Sequence, residues 1–216
     1  MLLALASGTF AASLARQPIL QTQIHRHLEM VWTDKGSGAT RDGSFWQPVG
    51  LPLGYFYLGH YAKQGHVINS GHDYAVLVKA LPGHEDALRP PSRLEWVYDD
   101  EKTGADLDVT IYNPVPTAGY TCLGHVALRS RRRDASPNEF PELRCVKTEY
   151  VLAAVAGEEA WNDKKSGGKH DFSAWRNVPG TGADGLDVHT FVGHRSYDRP
   201  HSLPSQNVLN RAYVKE

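Results

Sequence analysis

The 216-residue, 23.9 kDa chain is long enough to bury a core of its own, and its 23 Lys plus Arg against 24 Asp plus Glu leave a formal charge of -1. That balance excludes the broad basic field of a dedicated nucleic-acid binder. With 41 % hydrophobic and 22 % charged residues and a mean hydropathy of -0.44, the composition is that of a globular chain.

In chain order, the first stretch is Met1 to Ala15 (MLLALASGTFAASLA), apolar and uncharged. It resembles a signal-peptide core with small-residue cleavage chemistry near Ser13 to Ala15, but it lacks a basic leading region. A signal remnant and a buried N-terminal strand both stay open over residues 1–16, with the balance toward the signal. A single domain is expected over 17–216. After residue 15 no apolar run approaches the roughly 20 residues of a membrane helix, so no transmembrane segment is expected.

The remainder repeats three times. The units span about 20–81, 82–152 and 153–216, and their motifs run Trp32 to His60, Trp96 to His125 and Trp161 to His194. The leading tryptophans stand 64 and 65 positions apart. Within the units, Ser37 to Asp42, Thr103 to Asp108 and Ser166 to Asp171 are each five apart, and those aspartates precede Trp46, Tyr112 and Trp175 by four. Each unit then runs to a Gly-His pair (Gly59-His60, Gly124-His125, Gly193-His194) and a polar loop. A last apolar strand follows (75–81, 144–152, 208–214). Short β-branched and aromatic runs bounded by Gly, Pro, Asn and Asp predict strands, about four per unit. Three such units predict an all-β β-prism of pseudo-threefold design, with three four-stranded sheets and the five tryptophans mostly inside.

The recurring polar constellation supplies the candidate ligand-binding residues: Asp34, Ser37, Asp42, Trp46, Asp100, Asp108, Asp163 and Asp171. Their structural role is to accept hydrogen bonds from turn N–H groups. Their functional role is to offer paired carboxylates to sugar hydroxyls, beside an aromatic face, or to calcium, the one cofactor considered. The second unit reads as irregular, with Tyr98-Asp99-Asp100-Glu101-Lys102 inserted before Thr103, so the first loop is the favoured site. No catalytic residue is assigned, because no nucleophile elbow, phosphate loop or zincin helix occurs. A zinc site from His60, His125 and His194 is set aside, since matching strand ends belong to separate sheets. The run Arg129, Arg131, Arg132 and Arg133 reads as a solvated loop tip, with contact to an anionic lipid or glycan as the sharper reading. Cys122 and Cys145 flank that loop; a cross-strand disulfide is geometrically conceivable, and two buried thiols are the favoured reading.

The stretches VWTDKGSGATRDGSFWQPV, GYFYLGHY, NPVPTAGYTCLGHVA, LRCVKTEYV and GTGADGLDVHTFVGH resemble the vacuolar protein sorting-associated protein 62 family, from about residue 20 to 214. Similar β-prism domains occur at the C-terminus of some bacterial membrane attack complex/perforin proteins, and the resemblance implies a recognition module. The expectation is therefore a non-catalytic, lectin-like or targeting-like domain that binds a glycan or a membrane surface. It would be secreted or held at a cell boundary, and cytoplasmic otherwise. The alternatives are a hydrolase-like enzyme using Asp pairs and a structural or oligomerising subunit.

Overall fold

The computed structural model describes residues 17–69 and 71–216; the expectations for residues 1–16 fall outside them. The described chain is all-β, with 17 strands and four single-turn 3-10 helices. No described helix is long and apolar enough to cross a membrane.

Three hairpins carry the architecture. Leu28–Thr33 pairs antiparallel with Gly43–Pro48, Arg93–Asp99 with Thr110–Val115, and Val151–Asn162 with Ser173–Pro179. A third strand, Tyr61–Gln64, Val126–Leu128 or Phe191–His194, adds to the outer edge of each. Each hairpin also slips register by one residue shortly before its turn, between Met30 and Trp32, Trp96 and Tyr98, and Glu159 and Trp161. Such a bulge re-aims the residue that follows it.

The residues so aimed are Trp32, Tyr98 and Trp161, all fully buried in one core with Phe45, Ile111, Phe172 and Phe191. Trp32 stacks on Phe45 at 5.4 Å and meets Trp161 edge-on at 4.8 Å, while Tyr98 stacks on Phe172 at 4.2 Å. This corrects the alignment of the second unit. Trp96 lies two residues before the core position, half-buried, with the guanidinium groups of Arg133 and Arg195 at 4.3 and 4.0 Å from its ring. Once Tyr98 takes the core position no insertion remains, and Asp100 corresponds to Asp34 and Asp163.

The sheets also differ from expectation: there are five, with orders of three, three, three, five and three strands. The fourth strand of each unit leaves the hairpin sheet and pairs with the segment that precedes the hairpin. Thus Ala75–Ala80 pairs with Leu20–His25, Cys145–Lys147 with Leu88–Arg89, and Asn207–Asn210 with the start of Val151–Asn162. In the second unit Pro90 and Pro91, which have no N–H to donate, separate that segment from the hairpin. The third unit has no proline there, and one 12-residue strand, Val151–Asn162, serves both sheets. Near the chain's two ends, Val214–Lys215 lies parallel to Leu20–His25, and Ile19 N donates to the Tyr213 carbonyl at 2.8 Å.

Two further expectations change. Cys122 and Cys145 form a disulfide, Cys145 lying in a strand beside the Tyr120–Thr121 strand that precedes Cys122. The matching Gly-His pairs are equivalent only twice, because Tyr61, Val126 and Val192 hold the same register on their hairpins and make Phe191 the counterpart of His60 and His125. His60 Nδ1 accepts from Ala127 N at 3.1 Å and His125 Nδ1 from Gly193 N at 2.9 Å, so both imidazoles tie one unit to the next. Burial lowers both pKa values to about 3. His194 lies three residues past Phe191, its Nδ1 against the Asp198 carbonyl at 3.0 Å, and takes no part.

Candidate functional site

The turns of the three hairpins are chemically matched loops. Each begins with a buried aspartate, Asp34, Asp100 or Asp163, exposed by 4 % or less. Its Oδ1 accepts from the main-chain N–H nine residues on: Gly43 at 2.9 Å, Val109 at 3.1 Å and Phe172 at 2.9 Å. Three residues after the aspartate, the N–H of Ser37, Thr103 or Ser166 returns to its carbonyl at 2.9 to 3.0 Å. The hydroxyl of that same residue accepts from the N–H of Ala39, Ala105 or Gly168. These side-chain bonds do the work of a turn where no ladder partner is available. The conformation also demands left-handed backbone: Gly36, Lys102 and Lys165 have φ of 85°, 70° and 68°, and Gly38, Gly104 and Gly167 follow at 69° to 78°.

The three loops lock together end to end. Asp106 N donates to the Lys35 carbonyl at 2.8 Å, Lys169 N to the Glu101 carbonyl at 3.0 Å, and Thr40 N to the Lys164 carbonyl at 3.0 Å. First loop joins second, second joins third, and third returns to first. All eight sequence-predicted residues are therefore on or just behind one end of the molecule. Asp42, Asp108 and Asp171 sit exposed at the loop exits. Trp46 is 9 % exposed, its indole N–H donating to Ser44 Oγ at 2.7 Å, so it presents no stacking face to a sugar.

Between the two aspartates of each loop comes a side chain that no motif announced. Ser44, Thr110 and Ser173 donate from their hydroxyls to the carbonyls of Gly65, Ser130 and Ser196 at 2.5 to 2.6 Å. The next residues are His66, Arg131 and Tyr197. Arg131 bonds both members of its pair, Nε to Asp100 Oδ1 at 2.9 Å and a terminal nitrogen to Asp108 Oδ1 at 3.0 Å. The Tyr197 phenol faces both Asp163 and Asp171, and both carboxylates act on it electrostatically. His66 Nε2 stands 2.6 Å from Asp34 Oδ1, with an oxygen of Asp42 inside the same 4.8 Å cluster.

The electrostatics follow the partner. Burial holds the carboxyl of Asp100 above the usual carboxylate range, and the Arg131 guanidinium draws it back only in part. Burial likewise raises Asp163, offset by the Phe172 N–H and the Tyr197 and Tyr98 hydroxyls. Tyr197 itself is raised, by burial first and then by its two carboxylates. The arginine run is largely spent inside the molecule. Arg129 caps the Val31 and Met30 carbonyls, Arg132 pairs with Glu139, and Arg133 pairs with Asp99 at 2.5 Å.

Against known proteins, the sequence model of the vacuolar protein sorting-associated protein 62 family matches residues 5–212. The chain belongs to that family. No curated protein matches the chain. Among solved structures, its fold is similar to that of GNIP1Aa from Chromobacterium piscinae, with a TM-score of 0.76 at 21 % identity. The likeness covers 91 % of this chain but only 38 % of the GNIP1Aa chain, so it concerns one part of a longer protein.

Proposed function

We propose that the chain is a non-catalytic recognition module, a β-prism of three units that binds a glycan or membrane surface through the end bearing the three aspartate loops. The observation that carries this reading is the ring of main-chain hydrogen bonds joining Lys35, Glu101 and Lys164 to their neighbours. It sets three loops of one backbone form side by side, while the exposed side chains differ: Lys35, Glu101 and Lys164 at one position, Thr40, Asp106 and Lys169 at another. A rigid scaffold presenting varied polar groups suits recognition. The fold shared with part of GNIP1Aa agrees with a module that also works within larger chains. The Cys122–Cys145 disulfide favours an oxidising setting, outside the cell or at its boundary.

The hydrolase reading has less support, because Arg131 and Tyr197 occupy the space between two of the three Asp pairs, where a reacting group would have to sit. A glycan array and a pull-down with anionic and neutral liposomes test the proposal. Binding to one class, lost on charge reversal of Lys164 and Lys169 and kept on Leu53→Ser at the far end of the first hairpin, is the expected result. Silence in both assays, with turnover of glycoside or ester substrates, would reject it.

A further inference from the structure

The three Asp pairs form an internal comparison. In the second loop the pair is bridged by a cation of the chain itself, the Arg131 guanidinium, which contacts both carboxylates. In the third the residue facing both carboxylates is a neutral phenol, Tyr197. In the first loop the equivalent residue is an imidazole that reaches Asp34 alone, and the Asp42 carboxylate has no ion-pair partner among the described residues. The second loop sets a cation and the third a neutral phenol against its two carboxylates, whereas the first leaves the position between Asp34 and Asp42 to fill, with the His66 imidazole facing it.

We infer that Asp34, Asp42 and His66 form a binding site for one divalent transition cation of the Zn2+ type, which takes the place held by the Arg131 guanidinium in the second loop. The inference does not depend on the recognition reading. The donor atoms of the three residues lie within 4.8 Å of one another. Around tetrahedral zinc, with bonds of about 2.0 to 2.2 Å, donors stand roughly 3.4 Å apart. Seating the ion therefore needs His66 and Asp34 to part from 2.6 Å and Asp42 to swing inward. Asp42 is exposed at the rim of an open depression lined by Thr40, Arg41, Gln64 and Gly65, so its side chain has room to move. Asp34 is already oriented, Oδ1 by the Gly43 N–H at 2.9 Å and Oδ2 by Ser37 Oγ at 3.4 Å, as the supporting hydrogen bonds of a ligand carboxylate should be. Three protein donors leave the fourth position to water. One nitrogen with two carboxylate oxygens suits Zn2+, Co2+ or Ni2+, whereas calcium takes six to eight oxygens that this loop does not supply.

The test uses the untagged full chain, metal-stripped and titrated with ZnCl2, CoCl2 or CaCl2 by calorimetry and by thermal unfolding. The expected result is one Zn2+ per chain and a rise in Tm of about 5 °C or more at a hundredfold excess over Kd. Co2+ should give the visible absorption of a tetrahedral site, and Ca2+ no shift. His66→Arg, which copies the second loop, should fold without metal and lose Zn2+ binding. His66→Gln, which keeps a donor to Asp34 but offers no imidazole, guards against misfolding of the arginine variant and should behave alike. Asp42→Asn should weaken binding at least tenfold. Absence of any Zn2+-dependent shift in the parent overturns the inference, and so does Zn2+ binding that survives in a folded His66 variant.

Discussion

Acid should unfold this protein earlier than its carboxylates alone would dictate, because His60 and His125 are held neutral inside it. Both rings are buried, at 0 % and 3 % exposure, and burial lowers each pKa to about 3 from the usual 6.5. In the unfolded chain both protonate near pH 6.5. Stability is therefore fully present above that pH and is lost as pH falls from 6.5 toward 3, since the unfolded state then binds more protons. Integrating one site with these two pKa values between pH 7.5 and 5.0 costs about 2 kcal/mol, hence about 4 kcal/mol for the pair. That is a large share of the ~5–15 kcal/mol typical of a domain. His189, whose pKa burial also lowers, adds in the same direction. Urea unfolding at pH 7.5, 6.5, 5.5 and 5.0 measures the slope. His125→Asn keeps an acceptor near the position of Nδ1 for the Gly193 N–H but removes one titration, so it should start less stable and fall by about half as much. A stability flat between pH 7.5 and 5.0, or an unchanged fall in His125→Asn, would refute the reasoning.

Other measurements bear on other parts of the molecule. Trp32→Ala should cost about 3–5 kcal/mol in urea unfolding, as for a fully buried aromatic, whereas Trp96→Ala should cost less than half as much, and equal costs would contradict the core position given to Tyr98. Gly36→Ala meets both a left-handed φ of 85° and the Asp106 carboxylate at 2.6 Å, so it should lower Tm clearly more than Gly38→Ala, where φ is 69° and the space is open. Reducing the Cys122–Cys145 bond, which closes a 23-residue separation, should cost about 3 kcal/mol, read as the difference between unfolding curves with and without dithiothreitol.

The three hairpin loops were legible because the buried Asp, the Ser or Thr and the Gly are each demanded by the same backbone turn, and a shared turn leaves a shared spacing. What misled was identity taken ahead of register. Trp96 resembles Trp32 and Trp161 more than Tyr98 does, yet the bulge places Tyr98 in the core. Gly193-His194 resembles Gly59-His60 and Gly124-His125, yet strand pairing assigns Phe191 to that place. His66, Arg131 and Tyr197 carried no motif because they share a position and no chemistry; only their spacing of 65 and 66 residues, once the loops are aligned, would have picked them out. The five-sheet arrangement was hidden for a related reason, since the segment before each hairpin breaks at Arg26-His27 in the first unit, at Pro90-Pro91 in the second and not at all in the third, a difference its hydrophobic pattern does not carry.

The main-chain bonds that join the three loops have an evolutionary consequence. An interface made from peptide groups does not record which side chains its residues carry, so substitutions on the exposed side of a loop leave the joint intact. Each loop can drift in charge and chemistry independently while the other two keep it in place. A molecule built this way can try imidazole, guanidinium and phenol at one address in a single chain, and a change of specificity need not reopen the question of how the chain folds.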